Sequence, residues 1–398
     1  MAAVRDRRGR SSSAPTVLMR NRIREARRVV VKLGSNLFFN ESGHIALGRI
    51  FSFVEDIAAA RLAGRQVIVV SSGAVALGAD ALKTKSATES LAQKQALAAV
   101  GQSRLMNLYD QGFAKYGLTP AQILLTEEDF SDRKRYLNLR HTLASLLEMG
   151  VIPIINENDT VSTSELEVTE RSPSFGDNDK LSALVMSKLE AQALILLSDV
   201  DGLFTENPRE NPKAELIPEV HEITPEVEAL AGRKSARGRG GMSTKLQAAR
   251  IAMNSGGLAV IANGLRQGTL ARVLKGEPEG TLFVGKSESL SGKRRWIAFA
   301  SSVAGRIHIN QGALDAISRK NASLLYAGIT RVENEFEHGD VVSIVGPDGL
   351  EVARGIVNYS SADAAKLIGK HSDDIARLAS AKNYDAFITR NNIAFLAD

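Results

Sequence analysis

Six short stretches of this 398-residue chain carry residue types suited to phosphate or to a small polar ligand. Lys32-Leu33-Gly34-Ser35 sets one cation beside flexible backbone N–H groups, which suits phosphate oxygens, although a solvated lysine reads the same way. Ser71-Ser72-Gly73-Ala74 is small enough for a ligand to approach the backbone, or is a plain tight turn. Asn156-Glu157-Asn158-Asp159 offers four hydrogen-bonding side chains where a turn needs one or two. Such a run suits a site that reads a polar ligand, with a solvated loop as the alternative. Gly176-Asp177-Asn178-Asp179 opens a helical pattern, and helix capping by Asp177 or Asp179 explains one acid but not both. Ser198-Asp199-Val200-Asp201-Gly202-Leu203-Phe204 is a further acidic turn. Gly238-Arg239-Gly240-Gly241-Met242-Ser243-Thr244-Lys245 is a glycine loop opening a helix, with a lysine one turn in, and helix N-termini favour anions.

Other chemistries find no support. Gly280-Thr281-Leu282-Phe283-Val284-Gly285-Lys286-Ser287 satisfies the P-loop expression, but its centre is apolar and strand-like, and Gly276-Glu277-Pro278-Glu279 is no preceding strand. The six histidines show no metal-ligand spacing, and there is no cysteine, which excludes disulfides, thiolate metal sites and thiol nucleophiles. No apolar run reaches the roughly 18 residues of a membrane-spanning helix, and no secretory signal is present, so a cytoplasmic protein is expected.

Elements that could position these turns alternate along the chain. Val29-Val30-Val31, Val67-Ile68-Val69-Val70, Val151 to Ile155, Ala193 to Leu197 and Leu258 to Ile261 read as buried strands, with helical patterns such as Ile50 to Leu62 between them. This is the signature of βαβ units around a mostly parallel sheet sandwiched by helices, whose ligands sit at the carboxyl ends of the strands. Near residue 290, past Lys293-Arg294-Arg295, the pattern changes to short alternating strands such as Arg306 to Ile309 and Val341 to Val345, as in a small β-rich domain. Beyond about residue 375 a helical tail is expected.

The formal charge of +5 is unevenly placed. Residues 1–28 hold nine arginines against Asp6 and Glu25, a net of +7, which leaves −2 for the rest (5 − 7). Residues 1–27 read as a basic, disordered extension, with an organellar transit peptide as the alternative.

Taken in order, the Lys-Leu-Gly-Ser, Ser-Ser-Gly-Ala, Asp-Val-Asp-Gly and Gly-Gly-Met-Ser-Thr-Lys stretches resemble the amino-acid kinase family over roughly residues 28–284. Asn156 to Asp159 and Gly176 to Asp179, followed by a β-rich module, resemble its branch that phosphorylates the side-chain carboxylate of free glutamate. Residues 292–375 resemble a PUA domain, which leaves 376–398 as the tail. The resemblance implies ATP with Mg²⁺ carried by the nucleotide and no dedicated metal site. It implies that Lys32 and Lys245 stabilise the transferring phosphoryl group, with Asp179 or Asp177 orienting those lysines or the metal. Glutamate would be held by Ser72, Asp159 and Asn178, supported by Asn156 and Asp177. ATP would be held by Lys32, Ser198, Asp199 and the run Arg239, Gly240, Gly241, Met242, Ser243, Thr244 and Lys245. Feedback inhibition by proline, a dimer or tetramer, and hand-over of a labile acyl phosphate to a reductase are further implications.

Two departures from the family pattern stand out: a long stretch between Asp159 and Gly176, and Arg239 where a small residue is usual. The rival readings are a kinase for aspartate, acetylglutamate or uridylate, and an RNA-binding protein. Against the last, residues 292–398 carry 13 Lys plus Arg to 12 Asp plus Glu, which is no concentrated positive surface.

Overall fold

The computed structural model describes residues 13–84, 90–161, 178–232, 241–285, 292–300, 302–320, 322–367 and 386–396. They divide into two compact units, the first within Met1–Asp129 and Leu137–Ser289, the second within Phe130–Tyr136 and Leu290–Asp398.

Runs of β-branched residues build the first unit's sheet from β1 (Arg28–Leu33), β2 (Gln66–Ser71), β3 (Pro120–Leu125), β4 (Ile152–Glu157), β5 (Ala193–Ser198), β6 (Glu219–Val220), β7 (Leu258–Asn263) and β8 (Thr281–Val284). The order is β3-β4-β2-β1-β5-β7-β8-β6, and the β7–β8 pair is antiparallel among otherwise parallel neighbours. Up to residue 285 the helices are α1 (Ser13–Glu25), α2 (Leu47–Leu62), α3 (Ala74–Leu82), α4 (Leu91–Ala114), α5 (Glu128–Ser131), α6 (Arg133–Glu148), α7 (Asn178–Leu189), α8 (Pro225–Ala229), α9 (Met242–Asn254) and α10 (Thr269–Leu274).

Because side chains alternate along a strand, each face of the sheet takes its own layer. Val29, Val31 and Leu33 join Val67, Val69, Ile195 and Val260 in a core with Ile57 of α2, Tyr109 of α4 and Val273 of α10. Val30 and Lys32 therefore face the opposite side, where α7 and α9 pack. The parallel, helix-covered sheet agrees with the sequence reading. That reading missed β3, whose half-exposed Pro120-Ala121-Gln122 opening gives no apolar run.

Helices α3 and α4 approach at glycine. A Cβ on Gly101 would lie 1.7 Å from the carbonyl oxygen of Ala74, and one on Gly78 would lie 2.0 Å from that of Leu97. Ala74 opens α3 directly after Gly73, whose φ of +108° is left-handed, so the helix contact also fixes the Ser72-Gly73 turn. Gly101→Ala is expected to destabilise the unit by about 1–3 kcal/mol through overpacking, seen as a lower urea midpoint.

The extension expected to be disordered is a helix from residue 13 to 25, and residues 1–12 lie outside the described set. Ile23 is fully buried, and the Arg20 guanidinium donates to the carbonyl oxygens of Pro218, Glu277, Glu279 and Gly280 at 2.8 to 3.2 Å. The arginine count hid Met19, Ile23 and Ala26, which share one face at helical spacing. The P-loop-like stretch contains β8, and its Gly280 packs where a Cβ would lie 2.0 Å from the Ile261 carbonyl oxygen.

The second unit holds β9 (Gly305–Ile309), β10 (Ile329–Glu333), β11 (Val341–Val345), β12 (Glu351–Ile356) and β13 (Ile393–Phe395), in the order β10-β9-β11-β12-β13. Its helices are α11 (Gly292–Arg295), α12 (Gln311–Arg319) and α13 (Ser361–Leu367). Tyr326, Tyr359 and Phe387 pack at its centre, with ring centroids 5.3 to 6.3 Å apart. The tail expected to be helical is, at its described residues 386–396, part of this unit's sheet: Phe387 and Ile388 are fully buried and β13 pairs with β12. A three-residue strand is too short to show a period in sequence. Among the described residues no helix is long and apolar enough to cross a membrane.

Candidate active site

The strand register brings the turns together. Lys32 lies opposite Val70 of β2 and Leu196 of β5, and Val70 lies opposite Ile155 of β4. The carboxyl ends of β4, β2, β1 and β5 therefore open side by side, where an α/β sheet holds its ligands.

Lys32, next to last in β1, projects to the face covered by α7 and α9, and the first turns of those helices meet it. Its Nζ lies 2.7 Å from Asp179 Oδ1, and Lys245 Nζ lies 3.2 Å from Asp179 Oδ2. Thr244 Oγ1 donates to the same Oδ2 at 3.0 Å. Both lysines are 5% exposed and Asp179 is fully buried. Burial opposes ionisation of Asp179, but the charges and hydrogen bonds of Lys32 and Lys245 outweigh it and hold the carboxyl far below the usual range. Two ammonium groups against one carboxylate leave this trio with surplus positive charge, which suits an anionic ligand. Gly241 caps α9 in an extended conformation, and the N–H groups of Met242, Ser243 and Thr244 belong to the helix's positive end.

Asn178 precedes Asp179 at the start of α7 and begins a second cluster. Its Nδ2 donates to Ser72 Oγ at 2.7 Å and to Asn156 Oδ1 at 3.0 Å. Asn156, at the end of β4 and 2% exposed, donates in turn to Gln102 Oε1 at 3.0 Å. Asp159 follows in the half-buried turn after β4.

A third cluster follows β5. Ser198 Oγ donates to Asp199 Oδ1 at 3.0 Å and Asn36 Nδ2 donates to Oδ2 at 3.1 Å. Burial works against the Asp199 charge, yet these hydrogen bonds, a backbone N–H and the charge of Lys245 bring it below the ordinary carboxylate range. Asp201 points elsewhere, to Asn263 and Arg266 at 2.8 Å each, and so anchors the loop. At Gly202 a Cβ would sit 2.6 Å from Thr281 Oγ1, the group that accepts the Leu203 N–H at 2.8 Å.

The structure thus gathers Lys32, Lys245, Thr244 and Asp179, then Ser72, Asn156 and Asn178, and Ser198 with Asp199. Asp179 lies within the first turn of α7 and pairs with both lysines. Asp177, Arg239, Gly240 and the long stretch before Gly176 lie outside the described residues. Two participants were missed. Asn36 gave no signal beyond its nearness to Gly34, whereas Gln102 did: it stands with Leu97, Ala98, Gly101 and Leu105 on the buried face of α4.

The sequence model of the amino acid kinase family matches residues 27–263, and that of the PUA domain matches residues 305–379. A glutamate 5-kinase of Moorella thermoacetica is 46% identical over 94% of this chain and 97% of its own length. A glutamate 5-kinase of Geobacter sp. strain M21 is 45% identical over 94% of this chain and 99% of its own.

Proposed function

Since the chain belongs to the amino acid kinase family, among its glutamate 5-kinases with a C-terminal PUA domain, we propose that it transfers the γ-phosphoryl group of MgATP to the side-chain carboxylate of L-glutamate. The buried Lys32–Asp179–Lys245 trio carries the reading. A carboxylate attacking a triphosphate brings two anions together, and the chemistry needs charge compensation and alignment rather than proton transfer. One γ-carboxylate oxygen forms a bond to the γ-phosphorus, the bond to the bridging oxygen of ATP breaks, and its electron pair leaves with ADP. Lys32 and Lys245 stabilise the equatorial oxygens in transit, and Asp179 fixes where the two ammonium groups stand.

In this reading Ser72, Asn178 and Asp159 hold the amino acid, with Asn156 and Asp177 in support. Asp159 pairs the α-ammonium, which an N-acetylated acceptor lacks. Ser198, Asp199 and the loop from Arg239 through Lys245 hold the nucleotide, and Lys32 reaches its phosphates. Mg²⁺ arrives as part of the nucleotide substrate. Proline, which shares the ammonium and carboxylate of glutamate, competes at the same place and acts as feedback inhibitor of a cytoplasmic biosynthetic step. A downstream reductase consumes the labile acyl phosphate.

Trapping with hydroxylamine tests the reading. Hydroxamate should form from glutamate and ATP, with little from aspartate or N-acetylglutamate and no phosphorylation of UMP. Hydroxamate from another acceptor alone would overturn the substrate assignment, and no transfer to any would overturn the reading as a whole.

A further inference from the structure

The amide row beside the lysine trio ends on a residue with no assigned role. Gln102 is 8% exposed, and the glycine contact between α3 and α4 brings its turn of helix against the start of α3. Its Oε1 accepts from Asn156 Nδ2 at 3.0 Å, Asn156 Oδ1 accepts from Asn178 Nδ2 at 3.0 Å, and Asn178 Nδ2 also reaches Ser72 Oγ at 2.7 Å. Each amide has one acceptor oxygen and one donor nitrogen, so an amide whose nitrogen is committed on one side must show its oxygen on the other. The three therefore run head to tail. At the two ends of the row, Gln102 Nε2 and Asn178 Oδ1 are buried and have no hydrogen-bond partner among the described residues. Burying such groups unpaired is unfavourable, and a polar ligand that pairs with them removes the penalty. Ser72 Oγ, having accepted from Asn178, has its hydroxyl proton left to donate. An acceptor and a donor side by side complement the ammonium and carboxylate of an amino acid.

We propose that Gln102 is a positioning residue for the amino-acid substrate: by accepting from Asn156 it sets the polarity of the amide row, so that Asn178 presents its oxygen and Ser72 its hydroxyl proton to glutamate. This rests on the glutamate reading above. Apolar substitution at Gln102 releases Asn156 to turn over, and the pattern offered to glutamate is lost while the lysine trio and nucleotide loop keep theirs.

The experiment measures glutamate and ATP kinetics together with thermal unfolding. In Gln102→Met the glutamate KM should rise roughly tenfold or more, with kcat and the ATP KM within about threefold of wild type. Gln102→Glu, whose carboxyl oxygen still accepts from Asn156, should recover most of that loss. If the Met variant fails to fold, Gln102→Ala is judged by the same split. A uniform loss in kcat and both KM values, or a Glu variant no better than Met, would overturn the proposal and leave the glutamate reading standing. Wild-type protein inactive on glutamate would overturn both.

Discussion

Replacing Lys245 with alanine is expected to lower kcat for phosphoryl transfer roughly a thousandfold, while the glutamate KM changes by less than about threefold. The ammonium is 5% exposed and lies 3.2 Å from Asp179 Oδ2, so it acts where solvent screening is weak. In the proposed reaction its charge opposes the negative charge that concentrates on the phosphoryl oxygens during transfer, and glutamate binding is assigned to Ser72 and Asn178 instead. Arginine is not expected to restore activity, because a planar guanidinium does not fit the point occupied by a compact ammonium. Steady-state kinetics at saturating ATP decides the matter, and an unchanged kcat would remove Lys245 from the reaction.

Asp179→Asn is expected to abolish most activity and to destabilise the first unit by about 3–5 kcal/mol, the usual consequence of removing one partner from a buried ionic cluster. The neutral amide leaves Lys32 and Lys245 buried together without the carboxylate that balances them. The pH dependence follows from the direction of the shift. The folded carboxyl is held below its unfolded value, so its stabilising contribution is fully present above the unfolded value and is lost as pH falls toward the folded one. The stability gap between wild type and variant should hold steady from neutrality down to about pH 4 and narrow below it. Urea unfolding across that range measures this directly. A gap that widened on acidification would mean that Asp179 is protonated in the native state.

Much of the site was legible because its parts sit where pattern and chemistry coincide. Val29-Val30-Val31 running into Lys32-Leu33-Gly34 announces a strand ending at a cation, and Gly241 before Lys245 announces a helix start of the kind that favours anions. The pairing of Asp179 with both lysines follows from which face of β1 Lys32 takes, a fact of three dimensions. The buried place of Gln102 on α4 was legible, but its partner was not: Asn156 lies 54 residues away in sequence, on a different element, and only the fold brings the two within hydrogen-bond reach. At α1, arginine-rich composition spoke louder than the apolar spacing of Met19 and Ile23, continued by Ala26 just past the helix. Composition describes solvation, whereas spacing decides what packs. In β13, three residues are below the length at which alternation can be told from chance.

The central claim, attack by a side-chain carboxylate oxygen on the γ-phosphorus of ATP, is tested most directly with glutamate carrying 18O in its γ-carboxylate. Hydroxylamine cleaves the acyl phosphate at carbon, so the released phosphate should carry a single labelled oxygen, detected by mass spectrometry or by the 31P isotope shift. Phosphate without label from this substrate, or labelled only when the α-carboxylate bears the 18O, would contradict the account.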